Sequence, residues 1–401
     1  MTADKVEKEL PPIWILIVAT ATGPLALNLF VPSMPGLVST FNTDTATVQL
    51  TLTLYLVMIG VSQLFYGPIS DKFGRRPAML IGLAIYVAGG LFSAFAWSIE
   101  ALIAGRMIQA IGGCAGMVLG RAIIRDVLPR EKAAPTLALV TMAMAVAPAI
   151  APAIGGMLDT HFSWRAGFAV PTLVGAVLLL GALFKLNETK ERTEGAFSVT
   201  AMLRDFKTLS LQPSFQGYAG CVVFSIGAFF SFVAGAAYVA IEVIEEPPEV
   251  YGFYFVMISL GFMAGNFTAN RLSTRLGVDR MILLGVSFSS LGAGASVYCA
   301  FTMEAQLTTL FLPMALVAYG NGVSQPNAVT GAVSVLPRIA GTASGYMGFL
   351  QMGMGALLTQ IVGFFQTSTD HVAMSASIAG CTALSALLTW RAIASQRGKH
   401  D

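Results

Sequence analysis

Twelve runs of roughly twenty mostly apolar residues follow one another along this 401-residue chain, and one such run crosses a bilayer as a helix. They lie near 13–32, 48–68, 77–97, 101–121, 136–158, 165–185, 214–240, 251–270, 281–301, 305–326, 341–365 and 371–391. The runs are continuous rather than alternating, which argues against a β-barrel. In lipid each spanning segment must satisfy its own backbone polar groups, so helix is the form expected of it. The predicted class is an all-α integral membrane protein of twelve transmembrane helices. Only 11% of residues are charged, against about 25% in a soluble domain. A net charge of +2 is too small for a phosphate-binding face. The expected partners are therefore the lipid bilayer and a small-molecule substrate, with no nucleic acid.

The few charges are sorted. With the N-terminus placed in the cytoplasm, 21 of the 23 basic residues fall on the cytoplasmic side, and only Arg106 and Arg165 do not. The other side carries acids such as Asp44, Glu100, Asp159, Glu242, Glu249 and Glu304. This follows the positive-inside rule and predicts that both termini are cytoplasmic. The charged stretch Met1–Leu10 leads directly into a full-length run without a small-residue cleavage pattern, so the first span is expected to remain as a helix. Cys114, Cys221, Cys299 and Cys381 all fall inside spans and suggest neither a disulfide framework nor a metal site; no cofactor is expected.

The longest polar stretch, 186–212, divides the chain into an N-terminal six-helix bundle (1–185) and a C-terminal one (213–401), joined by a cytoplasmic linker. The other loops are short, so no soluble domain is inserted. Two such halves make a transporter layout with the solute site between them near mid-bilayer. Gly67-Pro-Ile-Ser-Asp-Lys-Phe-Gly-Arg-Arg-Pro77 follows the second span, and a weaker echo, Gly265 to Gly277, ends the eighth. In the first copy Gly67 permits close helix approach, Gly74 a tight reversal, and Pro77 suits the first turn of a helix. Asp71 can pair with Arg75 or Arg76, or face a helix N-terminus.

The 67–77 segment resembles the signature loop of the major facilitator superfamily, and the resemblance extends along the chain. Arg106-Met-Ile-Gln-Ala-Ile-Gly112 is similar to the family's fourth-helix motif, and Gly120–Asp126 resembles its Bcr/CflA drug-resistance branch. Ala147–Gly156, containing Pro148, Pro152, Gly155 and Gly156, is similar to the fifth-helix motif of drug:proton antiporters. Asn28–Pro35 and Gly341–Gly345 also fit that branch. The resemblance implies two pseudo-symmetric six-helix halves in a bacterial inner membrane, exchanging access by rocking and powered by a proton gradient. It further implies that Asp71 latches the cytoplasmic ends of the halves when the site faces outward, with Arg75 and Asp126 in the same charge network.

Arg106 lies inside a span, where a permanent charge costs at least ~2.5 kcal/mol unless it finds partners or water. The resemblance implies that Arg106, with Gln109 and Gly112, couples substrate and proton events; the alternative is an arginine snorkelling to the outer interface. Pro148 and Pro152 share one helix face, with Gly155 and Gly156 beyond. Such a set either seals the site against leak or is an ordinary membrane kink. The pattern breaks at Asn28, where the Bcr/CflA branch usually carries an aspartate. No Asp or Glu lies within the interior of any run. The proton-coupling candidates are then Glu242, which also reads as a solvated loop acid, or the pair Asp71 and Asp126. A substrate cavity is expected from Asn28, Phe30, Tyr55, Arg106 and Met117 on one side, and Phe224, Phe229, Tyr238, Asn321, Gln325 and Gln351 on the other. A mostly apolar cavity with a few polar groups suits amphiphilic compounds.

Neither a nucleophile–base pair nor a phosphate loop is present in the sequence, so an enzyme is not expected. The reading is a monomeric exporter of small amphiphilic compounds, drugs or metabolites, by proton antiport. The alternatives are a facilitator or importer of one metabolite on the same fold, or a membrane sensor without transport.

Overall fold

The computed structural model describes residues 11–190, 199–365 and 372–397, apart from some side chains within 130–145 and those at 394–397. The charged side chains of Lys5, Lys8, Arg130, Lys132, Arg192, Asp370, Arg397 and Lys399, used in the sorting above, lie outside the described residues.

Twelve long helices follow in order: α1 (Ile13–Phe30), α2 (Thr45–Phe73), α3 (Arg75–Ala94), α4 (Ile99–Val127), α5 (Arg130–His161), α6 (Ala166–Lys185), α7 (Pro213–Tyr238), α8 (Pro248–Leu276), α9 (Val278–Thr302), α10 (Leu307–Ser334), α11 (Ala340–Phe365) and α12 (Val372–Arg397). Among the described residues there is no β-strand. Eleven of these helices are long and apolar enough to cross a membrane by their described residues alone. The twelfth, α5, has 32 residues and contains the expected run 136–158. α1 runs further than the sequence pattern suggested, through a 3₁₀ turn (Val31–Ser33) into a short helix (Met34–Thr40). α7 ends in a π-helical turn, Val239–Val243. A short helix, Val199–Ser210, lies inside the expected linker.

The helix ends follow local chemistry. Asp44 caps α2 by accepting the Thr47 backbone N–H at 2.8 Å, and Ser98 caps α4 by accepting that of Ala101 at 3.2 Å. Pro213 and Pro248 open α7 and α8, where a missing N–H costs nothing. Gly74 (φ +104°) and Gly277 (φ +80°) make the one-residue reversals α2–α3 and α8–α9 in the left-handed region that other residues avoid.

The outer surface is apolar: Ile81, Leu173, Leu180, Leu291, Leu357 and Trp390 are all exposed. So extensive an apolar surface fits lipid rather than water as the solvent. Buried hydroxyls return to their own helix, as in Thr20 to the Leu16 carbonyl (2.7 Å) and Thr172 to that of Phe168 (2.6 Å), so few polar groups compete for interhelical partners.

The packing is two-fold. α1 packs on α4, α5 and α6, just as α7 packs on α10, α11 and α12. α4 also packs on α2 and α3, matching α10 on α8 and α9. Across the halves α2 meets α11 and α5 meets α8, and these two contacts are images of each other. The repeat is carried by glycine. Gly74, Gly82 and Gly89 recur 203 positions later as Gly277, Gly285 and Gly292. A Cβ on Gly82 or Gly89 would strike α4, and one on Gly285 or Gly292 would strike α10. Apolar contact has little driving force inside lipid, so close backbone packing of this kind is what holds such helices together.

The α2 cap gives a pH test. The Thr47 backbone N–H and then its hydroxyl hold the Asp44 carboxyl below its ordinary value. The cap therefore stabilises the fold at neutral pH and loses its contribution as pH falls below about 3.9 toward the lowered value. Asp44→Ala should lower the melting temperature of the purified protein at pH 7, with an effect of about 1 kcal/mol or less. The gap from wild type should narrow toward pH 3; a gap independent of pH would contradict the cap.

Candidate functional site

For geometry alone, the end of the bundle carrying the α2–α3 and α8–α9 reversals is called the reversal face, and the other end the far face.

At the reversal face the expected charge network forms. Arg75 is buried; its Nη1 donates to Asp71 Oδ1 (2.7 Å) and to Ser70 Oγ, and its Nε donates to Asp126 Oδ2 (2.7 Å). The network extends into residues that sequence reasoning did not single out. Glu188 accepts the backbone N–H groups of Arg75 (2.8 Å) and Arg76 (3.2 Å), so a distant carboxylate caps the start of α3. A Cβ on Gly74 would strike Glu188, which ties that glycine to the cap as well as to the turn. Arg76 donates to the carbonyls of Leu183 (3.0 Å) and Leu186 (2.7 Å), closing the C-terminal end of α6. Lys190 Nζ donates to Asp71 Oδ1 at 2.8 Å.

Asp71 is therefore bound within the first half and the start of the linker, by Arg75 and Lys190 rather than by α11. A Cβ on Gly67, Gly341 or Gly345 would meet nothing within 4 Å, so the close approach expected at Gly67 is not made in this state. Further along the same pair of helices, α2 and α11 are in contact. A Cβ on Gly60 would touch Met352. Thr53 donates to Gln360 Oε1 (3.0 Å), and Gln360 donates to the Ala46 carbonyl (3.2 Å).

The far face is closed by contacts between the halves. Gln49 Nε2 donates to the Ala234 carbonyl at 2.7 Å. The hydroxyl of Tyr238 points at the Met34 carbonyl at 3.5 Å. The expected fifth-helix set lies on this seam. A Cβ on Gly155 would strike the Leu29 carbonyl of α1, and one on Gly156 the Pro248 carbonyl of α8. In return, a Cβ on Gly252 would strike the Pro152 carbonyl. Pro152 is buried and Pro148 half-buried. His161 Nε2 and Glu249 Oε2, 3.2 Å apart, add a polar contact between α5 and α8 that no local motif announces.

Arg106 does not snorkel: its relative exposure is 0%. Its guanidinium carbon lies 3.9 Å from the centroid of the Tyr55 ring, 5.0 Å from that of Phe30 and 5.7 Å from that of Phe168. These are cation–π distances. Nη1 donates to the Ala26 carbonyl (3.2 Å) and to Gln109 Oε1 (2.9 Å). Tyr55 is fixed in turn by donating to the Gly23 carbonyl at 3.0 Å. Gly112 lets α4 close on α3, since a Cβ there would strike the Tyr86 backbone.

The expected cavity residues are spread over different environments. Phe30 and Tyr55 wall the arginine cage. Asn28 is buried, with Nδ2 donating to the Pro24 carbonyl at 2.8 Å. Met117 packs where α4 meets Gly23. Asn321 is buried within the second half, accepting from Ser289 (3.1 Å) and donating to the Ser225 carbonyl (3.4 Å). Tyr238 is buried at the far seam, and Phe229 packs edge-on against Phe230 and Phe255. Phe224, Gln325 and Gln351 are half-buried. Glu242 sits in the π turn after α7 with an exposed side chain, the setting of a solvated acid.

Residues 16–359 match the Major Facilitator Superfamily. The chain belongs to that family. It is a membrane transporter rather than an enzyme. It is similar to the Bicyclomycin resistance protein homolog of Haemophilus influenzae (28% identical, 91% of each chain covered). It also resembles Multidrug resistance protein D of Escherichia coli (29%, 95% of each). A third relative is the Chloramphenicol resistance protein of Pseudomonas aeruginosa (28%, covering 86% of this chain and 82% of the relative). These names agree with the Bcr/CflA-type resemblance drawn from the motifs. The fold matches a solved POT family transporter in complex with 5-aminolevulinic acid (TM-score 0.75, 10% identity, 96% of each chain).

The Glu188 cap predicts a selective effect on this superfamily loop. Glu188→Gln keeps the shape but weakens the charge at the start of α3. It should reduce transport several-fold while the protein stays monodisperse and melts within a few degrees of wild type. Unchanged transport would mean that the cap is packing alone.

Proposed function

We propose that this transporter exports small amphiphilic compounds from the bacterial cytoplasm by alternating access, with proton antiport as the energy source. In this reading both termini are cytoplasmic, so the reversal face looks into the cell. The chain acts as a monomer of two bundles, 1–185 and 213–401, joined by the linker 186–212. The observation that carries the reading is the difference between the two ends of the α2–α11 pair. The helices touch from Gln49 and Gly363 to Gln63 and Gly348, whereas a Cβ on Gly67, Gly341 or Gly345 would meet open space. With the cytoplasm at the reversal face, this is a state closed outward and parted inward. Asp71 is then held by Arg75 and Lys190 until the halves close on the cytoplasmic side and α11 becomes available to it.

The relatives named for resistance to bicyclomycin and chloramphenicol, and the one named for multidrug resistance, support an amphiphilic cargo. Asn28, Tyr55, Phe229, Gln325 and Gln351 are its expected contacts as the halves rock.

A second reading, a facilitator without proton coupling, is favoured by one observation. Asn28 donates to a backbone carbonyl where the branch usually has a titratable acid. Cargo transport and coupling separate in one experiment. In a host deleted for its own pumps, expression should lower steady-state chloramphenicol accumulation, and an uncoupler should restore it. Higher accumulation on expression would sink the export reading. Faster equilibration with an unchanged steady-state level would leave the facilitator, and Asn28→Asp should then create an uncoupler-sensitive lowering of that level.

A further inference from the structure

Arg106 is a permanent cation with spare donors and no carboxylate beside it. Its Nε and Nη2, and the Nε2 of Gln109, find no hydrogen-bond partner among the described residues, although all three atoms are buried. The acids on the helices that carry or wall the cage, Asp71 on α2 and Glu100 and Asp126 on α4, all sit at helix ends. α1, α3 and α6 contain none. Three aromatic faces and one carbonyl offset part of the cost of the charge, but ring quadrupoles do not occupy N–H donors. A buried guanidinium with two free N–H directions is a strong attractor for a planar anion, which it binds through parallel hydrogen bonds.

From this geometry we propose that Arg106, with Gln109, is the binding point for one negative charge, a carboxylate or another monoanion. This deepens the exporter reading and rests on it: the favoured cargo is an amphiphile bearing a carboxylate. The cage supplies both halves of such a ligand's needs, a fixed cation for the acid and the rings of Phe30, Tyr55 and Phe168 for an aromatic or apolar body. Phe30 and Tyr55 belong to the same packed cluster as Phe230, Phe232 and Phe255 of the second half. The same device addresses the missing acid at position 28. A cargo that brings its own negative charge is driven outward by an inside-negative potential, a force that adds to proton antiport and does not depend on an acid at position 28.

The shared chemistry leaves two sources for the anion, the cargo's own carboxylate or a free ion such as chloride. The test is a thermal-shift titration of the purified full-length protein at pH 7 with 2-naphthoate and with 2-naphthamide, which differ in charge but hardly in shape. Chloride against gluconate forms a second arm. Naphthoate should raise the melting temperature by several degrees, with naphthamide giving less than a third of that shift. Arg106→Lys should keep part of the naphthoate effect and Arg106→Gln should lose it. Equal shifts from acid and amide in the wild type overturn the proposal without any variant being needed, as does retention of the full effect in Arg106→Gln. A shift from chloride and none from naphthoate identifies a free-ion site and removes the carboxylate cargo. Transport of both naphthalene compounds in proteoliposomes separates this inference from the exporter reading. Movement of the amide as fast as the acid refutes the anion preference alone, whereas movement of neither counts against the exporter itself.

Discussion

Charge is expensive in hydrocarbon, and that cost organises the molecule from its sequence to its moving parts. Placing Arg, Lys, Asp or Glu at the centre of a membrane helix costs about 2.5–3.5 kcal/mol on insertion scales. Arg106 apart, the charged groups that pair follow it: the Asp71–Arg75–Asp126 cluster and Lys190 gather at the reversal face, and His161 and Glu249 meet at the far face. Concentrating these groups at the two ends has a mechanical consequence. A transporter that opens one end at a time needs its switchable contacts where they can exchange partners with solvent nearby. The low-dielectric middle, by contrast, is left for contacts that persist.

Those persistent contacts are backbone contacts. Gly82 and Gly89 against α4, and Gly285 and Gly292 against α10, pack one pair of helices closely together in each half. Between the halves, among the described residues, the same close backbone approach is made toward the far face at Gly156 and Gly252. Such contacts are short and nearly flat, which suits two surfaces that must part and rejoin. The halves are alike in packing but unlike in charge. The positions that correspond to Asp71, Arg75 and Arg76 in the first half are Thr274, Val278 and Asp279 in the second. Asp279 there accepts from Tyr218 at 2.7 Å instead of joining an ion cluster. The two-fold fold thus carries the Asp71–Arg75–Asp126 cluster in its first half without a counterpart at these positions in the second.

The spans, their sorting by charge and the pairing of Asp71 with Arg75 were legible because each depends on residue type and local spacing, whereas Asp126 entered the network only through the family resemblance. The 203-residue glycine repeat is also written in the sequence, but it is diluted by other glycines until the structure shows which ones meet a neighbouring backbone. Glu188 was not legible. It caps a helix more than a hundred residues away, and an acid after a basic helix end reads as an ordinary loop residue. The His161–Glu249 pair was hidden for the same reason, since only the α5–α8 contact brings the two together. Arg106 was flagged as a cost, yet its three ring partners come from α1, α2 and α6, and no spacing within α4 could announce them.

The pairing of Asn28 with Arg106 bears on how such a chain can be powered. A proton-driven carrier needs a group in the transport path whose charge changes as the path alternates, and aspartate in a membrane helix does this because its neutral form tolerates lipid. Asparagine cannot change charge, and arginine in this cage does so no more readily. Replacing a titratable anion by a neutral amide while keeping the cation shifts the fixed charge of the first bundle by one unit in the positive direction. The fixed guanidinium, with two donors unpaired, is the same cost in the empty and the loaded carrier unless the cargo itself brings the balancing charge. A proton cannot balance a positive charge. A solute anion can, so the residue missing from α1 and the unpaired donors on α4 are most simply understood together, as the place where the cargo's own charge enters the energetics of transport.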